Sequence, residues 1–185
     1  MVTGESAGSV PTALFGALVA DRLPDASVVT FGDSSGAYPD IDPINALIGD
    51  VWGFPAGVPD WPELDGLTVE QWSFPEQMIY AGHHAPRVRF GRLDHAFDQV
   101  QAQFAALAGI PADQLVTLID GTEQQIEDGG VQLASYVAPG NLHTISSSDD
   151  FYTTEVEGVR LVDWLTALID DPDPPPDVHC VECGS

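Results

Sequence analysis

The sequence has no lysine, and five scattered arginines are its only basic side chains, against 29 aspartates and glutamates. The formal net charge at pH 7 is −24 with histidine neutral. Scattered arginines form no basic surface, and a strongly negative chain repels phosphate backbones, so we exclude nucleic-acid binding. A cleft on this protein also disfavours polyanionic ligands, because like charge weakens both encounter and binding.

Long apolar runs are absent as well. A bilayer-spanning helix needs about 20 consecutive apolar residues, and no run in this chain approaches that length, so we expect no membrane span. Hydrophobic residues make up 44% of the chain and charged residues 18%, which is typical of a globular domain rather than a disordered one. At 185 residues, the natural expectation is one domain with a sizeable core.

Cysteine is scarce: Cys180 and Cys183 are the only two, and they form a C-x-x-C motif. A zinc site needs four ligands, and His179 is the only other candidate nearby. A redox motif of the thioredoxin type opens a helix after a strand, whereas this motif follows a proline-rich stretch. We therefore expect a disulfide, local or to a partner chain, and no metal site. We assign residues 1–171 to the main domain and residues 172–185 to a proline-rich tail.

Residues 4–8 read Gly-Glu-Ser-Ala-Gly and match G-x-S-x-G, the nucleophile-elbow motif, in which serine occupies a strained turn between a strand and a helix. Both glycines are expected where neighbouring backbone comes too close for a Cβ. Residues 13–23 have the apolar spacing of the helix that should follow, whereas residues 1–3 are only the stump of a strand. The motif makes Ser6 the candidate nucleophile and the backbone N–H of Ala7 a candidate oxyanion-hole donor.

Strand patterns alternate with helix patterns along the chain. The predicted strands are residues 26–31, 87–93 and 131–137. Residues 97–108 place apolar side chains on one face of a helix, and residues 161–169 form a closing helix. Such alternation predicts an α/β fold with a mostly parallel sheet and flanking helices.

Polar residues follow these strands where a parallel sheet places its functional groups, beyond the carboxyl ends of the strands. Ser6 follows the first strand, Asp98 lies a few residues beyond the strand ending near residue 93, and His143 follows the strand ending at residue 137. The order Ser, Asp, His is that of the α/β hydrolases. It predicts a catalytic triad of nucleophile, acid and base.

The acid and the base of this triad have alternatives. Asp33 directly follows the second predicted strand, and Asp120 is a third choice for the acid with less support from its position. Two of the competing histidines precede a strand and should lie at the opposite edge of the sheet, and the third fits a polar loop; they are His83, His84 and His95. A capping or core role is the alternative for His143.

Four segments follow one another in order: Gly-Glu-Ser-Ala-Gly-Ser at 4–9, Phe-Asp at 97–98 with Gln101, Asn-Leu-His-Thr-Ile at 141–145, and Gly-Val at 158–159 with Leu161. Together they resemble the pectinacetylesterase/Notum family of serine carboxylesterases. Residues 33–36 resemble a loop that borders this family's active site. The resemblance implies an α/β-hydrolase fold without a cofactor, with Ser6 as nucleophile, Asp98 as acid and His143 as base.

Members of this family carry a long region before the nucleophile, which includes the first half of the sheet and a glycine-rich loop that supplies oxyanion-hole amides. By this resemblance, the chain corresponds to the carboxyl-terminal half, and the amino-terminal half of the sheet is missing. We then expect the strand before Ser6 to be an exposed edge that pairs with the missing half or with another copy. The resemblance also implies export from the cell.

Residues 39–80 combine aromatic side chains and prolines with little periodicity. In a hydrolase such a region builds a cap or a substrate wall, and a loop whose aromatics cover the core is the alternative. The aromatic residues concerned are Trp52, Phe54, Trp61, Trp72 and Phe74.

The sequence therefore predicts an esterase that cleaves acyl esters, foremost acetyl esters of a polysaccharide such as pectin. A polymer of low charge is favoured, because the chain is strongly negative. The alternatives are an inactive or impaired hydrolase fold that acts as a binding or scaffold protein, and a different hydrolase such as a lipase or a peptidase.

Overall fold

The computed structural model describes residues 1–46, 57–68, 71–181 and 183–184. Its strands are β1 (Val2–Glu5), β2 (Val29–Asp33), β3 (Arg89–His95), β4 (Leu133–Ala138), β5 (Glu155–Val156), β6 (Val159–Arg160) and β7 (Val178–His179). Five of them form one parallel sheet in the order β1, β2, β3, β4, β7. The other two pair as a small antiparallel hairpin. The predicted α/β class with a mostly parallel sheet is confirmed.

Helices flank this sheet on both faces. They are α1 (Thr12–Arg22), α2 (Asp42–Asn45), α3 (Phe74–His84), α4 (Gln99–Leu107), α5 (Leu115–Asp128), α6 (Asp150–Thr153) and α7 (Leu161–Asp170). Phe90 of β3 packs in a core cluster with residues of α1 and α3, whereas its neighbour Gly91 lies against Leu168 of α7. Because successive strand residues point to opposite faces of a sheet, α1 and α3 cover one face and α7 covers the other.

The three central strands begin two or three residues later than predicted and end one or two residues later. At the carboxyl ends of β2 and β3 the difference arises because the polar residues Asp33, Asp94 and His95 remain in the sheet and are buried. Sequence patterns place such residues outside a strand. His95 is therefore a buried strand residue, and its predicted position in a polar loop is wrong.

Two long helices, α3 and α5, were not predicted from the sequence. Ser73 caps α3, accepting a hydrogen bond from the backbone N–H of Glu76 at 3.4 Å. In α5, buried residues recur at helical spacing among polar ones; they are Leu115, Leu118, Ile119, Thr122 and Ile126. Both signals, a serine cap and a 3.6-residue period, are visible in the sequence.

The proline-rich segment leads back into the sheet. β7 pairs with β4, and Val178 and Cys180 are buried. Cys180 and Cys183 form a disulfide, which is the local one of the two disulfide alternatives. The segment predicted as a tail thus adds a strand to the domain, because the backbone of the two residues of β7 pairs with β4.

The aromatic residues of the 39–80 region that the structure describes are buried or partly buried. Trp61 and Trp72 are buried in the cluster under α1 and α3, and Trp61 stacks on the His84 ring at 3.9 Å between centroids. Phe74 packs edge-on against Tyr38. Trp52 and Phe54 lie outside the described residues. The position of the two buried tryptophans fits the second of the two predictions for this region, a loop whose aromatic side chains cover the core, rather than a cap or substrate wall.

Within the described ranges, no single helix is long and apolar enough to cross a membrane. Gln99–Leu107 and Ala112–Asp128 reach that length and composition only as a pair bent by 116°.

Candidate active site

Ser6 lies in a tight turn between β1 and α1. β1 ends at Glu5, Ser6–Gly8 form one 3₁₀ turn, and α1 begins at Thr12. The backbone φ of Ser6 is +54°, a left-handed conformation that residues other than glycine rarely adopt. Such a conformation costs about 1–3 kcal/mol and persists only where the surroundings impose it. A strained strand-to-helix turn of this kind is the geometry that G-x-S-x-G predicts.

The two glycines of this motif have different surroundings. A Cβ on Gly4 would lie 2.0 Å from the carbonyl oxygen of Gly8, which leaves no room for a side chain. A Cβ on Gly8 would meet nothing within 4 Å. The expectation that both positions exclude a Cβ therefore holds at Gly4 and is wrong at Gly8, because the turn closes over the first glycine and leaves the second facing open space.

We expect Gly4→Ala to lower the free energy of unfolding by about 1–3 kcal/mol, because the added methyl group forces the turn apart. Gly8→Ala is its matched control and should leave stability unchanged or slightly higher, since alanine restricts the unfolded chain without a clash. Urea unfolding of the two variants and the parent chain measures both effects. An equal loss in the two variants would contradict this account of the turn.

Asp98 follows β3 and caps the amino terminus of α4. Its Oδ1 accepts hydrogen bonds from the backbone N–H groups of Val100 at 2.8 Å and Gln101 at 3.1 Å. Its Oδ2 accepts from Gln101 Nε2 at 3.1 Å and faces His143 Nδ1 at 2.7 Å. The side chain is completely buried. Four partners thus fix both carboxylate oxygens.

His143 lies between Asp98 and Ser6. Its Nδ1 is 2.7 Å from Asp98 Oδ2, and its Nε2 is 2.8 Å from Ser6 Oγ. A carboxylate only accepts, so Nδ1 carries the proton and Nε2 is free to accept the hydroxyl proton of Ser6. The His143 side chain is 19% exposed, whereas that of Asp98 is completely buried, so solvent reaches the imidazole but not the carboxylate. The structure therefore brings the three predicted residues into one chain of hydrogen bonds.

The competing residues have other partners. His83 Nε2 is 2.8 Å from the Gly129 carbonyl, and His84 bonds Asp21, both beside the amino-terminal edge of β3 as predicted. Asp120 contacts His179 rather than His143. Burial lowers the pKa of His95, and its buried Nδ1 has no hydrogen-bond partner among the described residues.

Asp33, the second choice for the acid, contacts the backbone of the loop after His143. Its Oδ2 accepts hydrogen bonds from the N–H groups of Ile145 and Ser146, both at 2.8 Å. Within the part of the chain that the structure describes, Asp33 has no hydrogen bond to an imidazole nitrogen. The sequence offers no signal for this role, because the partners are more than a hundred residues apart.

A buried ion pair lies behind Asp98. Arg92 Nε is 2.8 Å from Asp94 Oδ2, and Gln101 Nε2 donates to Asp94 Oδ1 at 2.9 Å as well as to Asp98. Burial raises the pKa of Asp94, although Arg92, Gln101 and the Gly36 N–H oppose that rise. Gln101 thus connects the carboxylate that faces His143 to a second, buried carboxylate.

An apolar groove of about 650 Å³ begins beside the elbow. Ala7, the residue directly after Ser6, lines it together with residues at the starts of α1 and α3; these include Val10, Pro11, Leu14 and Phe74. Ala7 lies in the 3₁₀ turn that directly follows β1, and its backbone N–H is that of the residue after the nucleophile, where the motif predicts an oxyanion-hole donor. A ligand whose carbonyl carbon lay beside Ser6 Oγ could place an attached apolar group in this groove.

A larger open cavity of about 1120 Å³ lies on the opposite edge of the sheet. Arg87 and Arg89 line it, but both guanidinium groups already donate to backbone carbonyls.

Two groups of side chains that could bind a metal ion lie away from Ser6. Glu123, Glu127 and Asp177 approach one another, but the last two are exposed, and the two cysteines beside His179 are joined to each other.

Comparison with known proteins gives no relative from which a role could be inferred: no protein-family model matches the chain, and no curated protein matches it.

Proposed function

We propose that this protein is a serine hydrolase of carboxylic esters with an α/β-hydrolase-like fold. The hydrogen-bonded chain from Ser6 Oγ through His143 to Asp98 carries the proposal. The strained turn at Ser6 supports it independently, because a left-handed serine between a strand and a helix is the geometry in which the G-x-S-x-G motif presents a nucleophile. The strand order is consistent with such a fold, since the three residues follow β1, β3 and β4 of one parallel sheet.

In the proposed reaction, Ser6 Oγ attacks the ester carbonyl while His143 Nε2 accepts its proton. Asp98 holds the imidazole in the required tautomer and stabilises the imidazolium. The carbonyl oxygen becomes an oxyanion, for which the Ala7 N–H is the donor in this chain. His143 then protonates the leaving alcohol, and a water molecule, deprotonated by the same nitrogen, hydrolyses the acyl-serine and restores the hydroxyl.

The groove beside Ala7 favours an acyl group larger than acetyl. Each methylene buried there contributes about 0.8 kcal/mol, so two further methylenes raise kcat/KM by up to about 15-fold. Cleavage of acetyl esters of a polysaccharide, and membership of the pectinacetylesterase/Notum family, stay predictions from the sequence. An inactive binding or scaffold protein of the same fold is the alternative function.

Hydrolysis of p-nitrophenyl acetate, butyrate and octanoate, with p-nitroacetanilide as the matched amide, tests the proposed function. We expect turnover of the esters, with butyrate cleaved faster than acetate, and little cleavage of the anilide. Faster cleavage of the anilide than of any ester would favour a peptidase. No turnover of any of them would favour the inactive protein.

A further inference from the structure

Five consecutive residues at the carboxyl end of β2, the strand that pairs with β1, contact all three parts of the proposed active site. Residues 33–37, here called the hub segment, begin at the last residue of β2 and continue into the loop beyond it. Neither the proposed reaction nor the groove uses them. Their hydrogen bonds extend to the histidine loop, to the residues after Ser6 and to the partner of Asp98.

The contact with the histidine loop is the most extensive. Asp33 is completely buried, and its Oδ2 accepts from the backbone N–H of Ile145 and of Ser146, each at 2.8 Å, and from the Ser146 hydroxyl. Ser34 Oγ donates to Asp33 Oδ1 at 3.0 Å and accepts from the Thr144 N–H at 3.0 Å. Three consecutive residues after His143 are therefore held by two consecutive residues of the hub segment.

The same segment reaches the nucleophile. Ser35 Oγ lies 2.6 Å from Ser9 Oγ, and the Ser9 N–H donates to the Ser6 carbonyl at 2.9 Å. Ser9 is buried and Ser35 is partly buried. The hub segment thus bonds to the closing residue of the turn that presents Ser6.

The third contact leads to the acid. The Ala37 N–H donates to Gln101 Oε1 at 3.0 Å, and Gln101 Nε2 donates to Asp98 Oδ2 at 3.1 Å. The Gly36 N–H donates to Asp94 Oδ1 at 2.8 Å. A Cβ on Gly36 would lie 2.1 Å from Asp94 Oδ2, which leaves no room for a side chain at this position.

Backbone conformation shows that these contacts impose a strained geometry. Ser34 has a φ of +66° and Thr144 a φ of +56°, and the two are hydrogen-bonded to each other. Left-handed conformations of residues other than glycine persist only where the surroundings fix them. The loop carrying His143 is therefore held in a conformation that it would not keep alone.

We propose that Asp33 is a positioning residue that holds the imidazole of His143 in line between Ser6 and Asp98. It fixes the backbone of residues 145 and 146 directly and that of Thr144 through the Ser34 hydroxyl. The proposal rests on the proposed function for its kinetic consequence, but its structural content is independent of turnover. A displacement of about 1 Å in a reacting group costs on the order of 10²-fold in rate.

The test compares Asp33→Ala with Asp33→Asn. Alanine removes every acceptor, so we expect kcat for p-nitrophenyl butyrate to fall about 10²-fold with KM nearly unchanged. Asparagine can place its single oxygen where Oδ2 lies and donate its NH₂ to Ser34 Oγ, so it should recover most of the activity. Ile126→Ala, in the core under α3, controls for lowered stability and should keep the parent kcat below its Tm.

A second readout needs no turnover. The imidazole N–H proton that His143 shares with Asp98 should give a downfield NMR resonance, which we expect to be lost in Asp33→Ala and kept in Asp33→Asn and Ile126→Ala. Ser34→Gly serves if Asp33→Ala fails to fold. It relieves the positive φ yet removes the acceptor for Thr144, so kcat and the resonance should weaken without a loss of Tm.

The outcomes separate the two proposals. A folded Asp33→Ala with the parent kcat and resonance would overturn the positioning role, as would an equal loss of kcat in Ile126→Ala. If Asp33→Ala does not fold, a Ser34→Gly variant with the parent kcat and resonance would also overturn the positioning role. A parent protein without esterase activity would refute the proposed function, while the resonance would still decide whether Asp33 positions His143.

Discussion

Replacing Ser6 by alanine is expected to lower kcat for ester hydrolysis by about 10⁶-fold, the size of loss typical when the nucleophile of a serine hydrolase is removed. Among the residues that the structure describes, the Ser6 hydroxyl is the only group with a hydrogen bond to His143 Nε2, at 2.8 Å. Labelling by a fluorophosphonate should occur at Ser6 in the parent chain and disappear in the variant. Turnover of p-nitrophenyl butyrate and intact-mass measurement after labelling check both effects.

Ser27→Ala is the control for this experiment. Ser27 is exposed and precedes β2, so it lies at the opposite end of that strand from the active site, where its hydroxyl accepts from Arg89. We expect it to keep full activity and labelling. If Ser6→Ala retained the parent turnover, or if the label were found on another residue, the proposed nucleophile would be wrong. If neither protein reacted, the inactive fold would be favoured.

The residues of the proposed triad could be predicted because each carries a local signal. Ser6 lies in a five-residue motif, and Asp98 and His143 follow apolar strand patterns whose carboxyl ends meet at one edge of a parallel sheet. The sequence also placed His83 and His84 at the opposite edge of the sheet, where the structure has them, since both precede a strand. The edge of the sheet at which each of these residues lies follows from whether the residue precedes or follows its strand, and the sequence pattern shows that order.

Side-chain contacts between distant segments could not be predicted in this way. Asp33 directly follows a strand pattern and was therefore a candidate acid, yet its carboxylate bonds backbone groups 112 and 113 residues away. His95 is polar and was placed in a loop, but it ends a buried strand. In both cases a buried polar residue at the end of a strand has a role that depends on its neighbours in space.

Asp98→Asn is expected to lower kcat by about 10⁴-fold while leaving the fold intact. Asparagine is as good a helix cap as aspartate, so its Oδ1 can keep the hydrogen bonds from Val100 and Gln101 that begin α4. Its NH₂ group then faces His143 Nδ1, to which it can only donate. Gln101 Nε2 loses the same acceptor but keeps its hydrogen bond to Asp94 Oδ1. The imidazole proton is left on Nε2, which no longer accepts a proton from Ser6.

Two further variants separate chemistry from capping. Asp98→Ala loses the cap as well, so it should lower the free energy of unfolding by about 1 kcal/mol in addition to the loss of activity. Asp120→Asn changes a carboxylate that also faces a histidine, since His179 Nε2 lies 3.2 Å away, but this pair is exposed and should leave kcat unchanged. Measurements of kcat and Tm on all three variants show whether Asp98 acts on the imidazole of His143 or only caps α4. A drop in Tm for Asp98→Asn equal to that for alanine would mean that its lost activity reflects the helix, whereas a lost kcat with an unchanged Tm assigns it to the tautomer of His143.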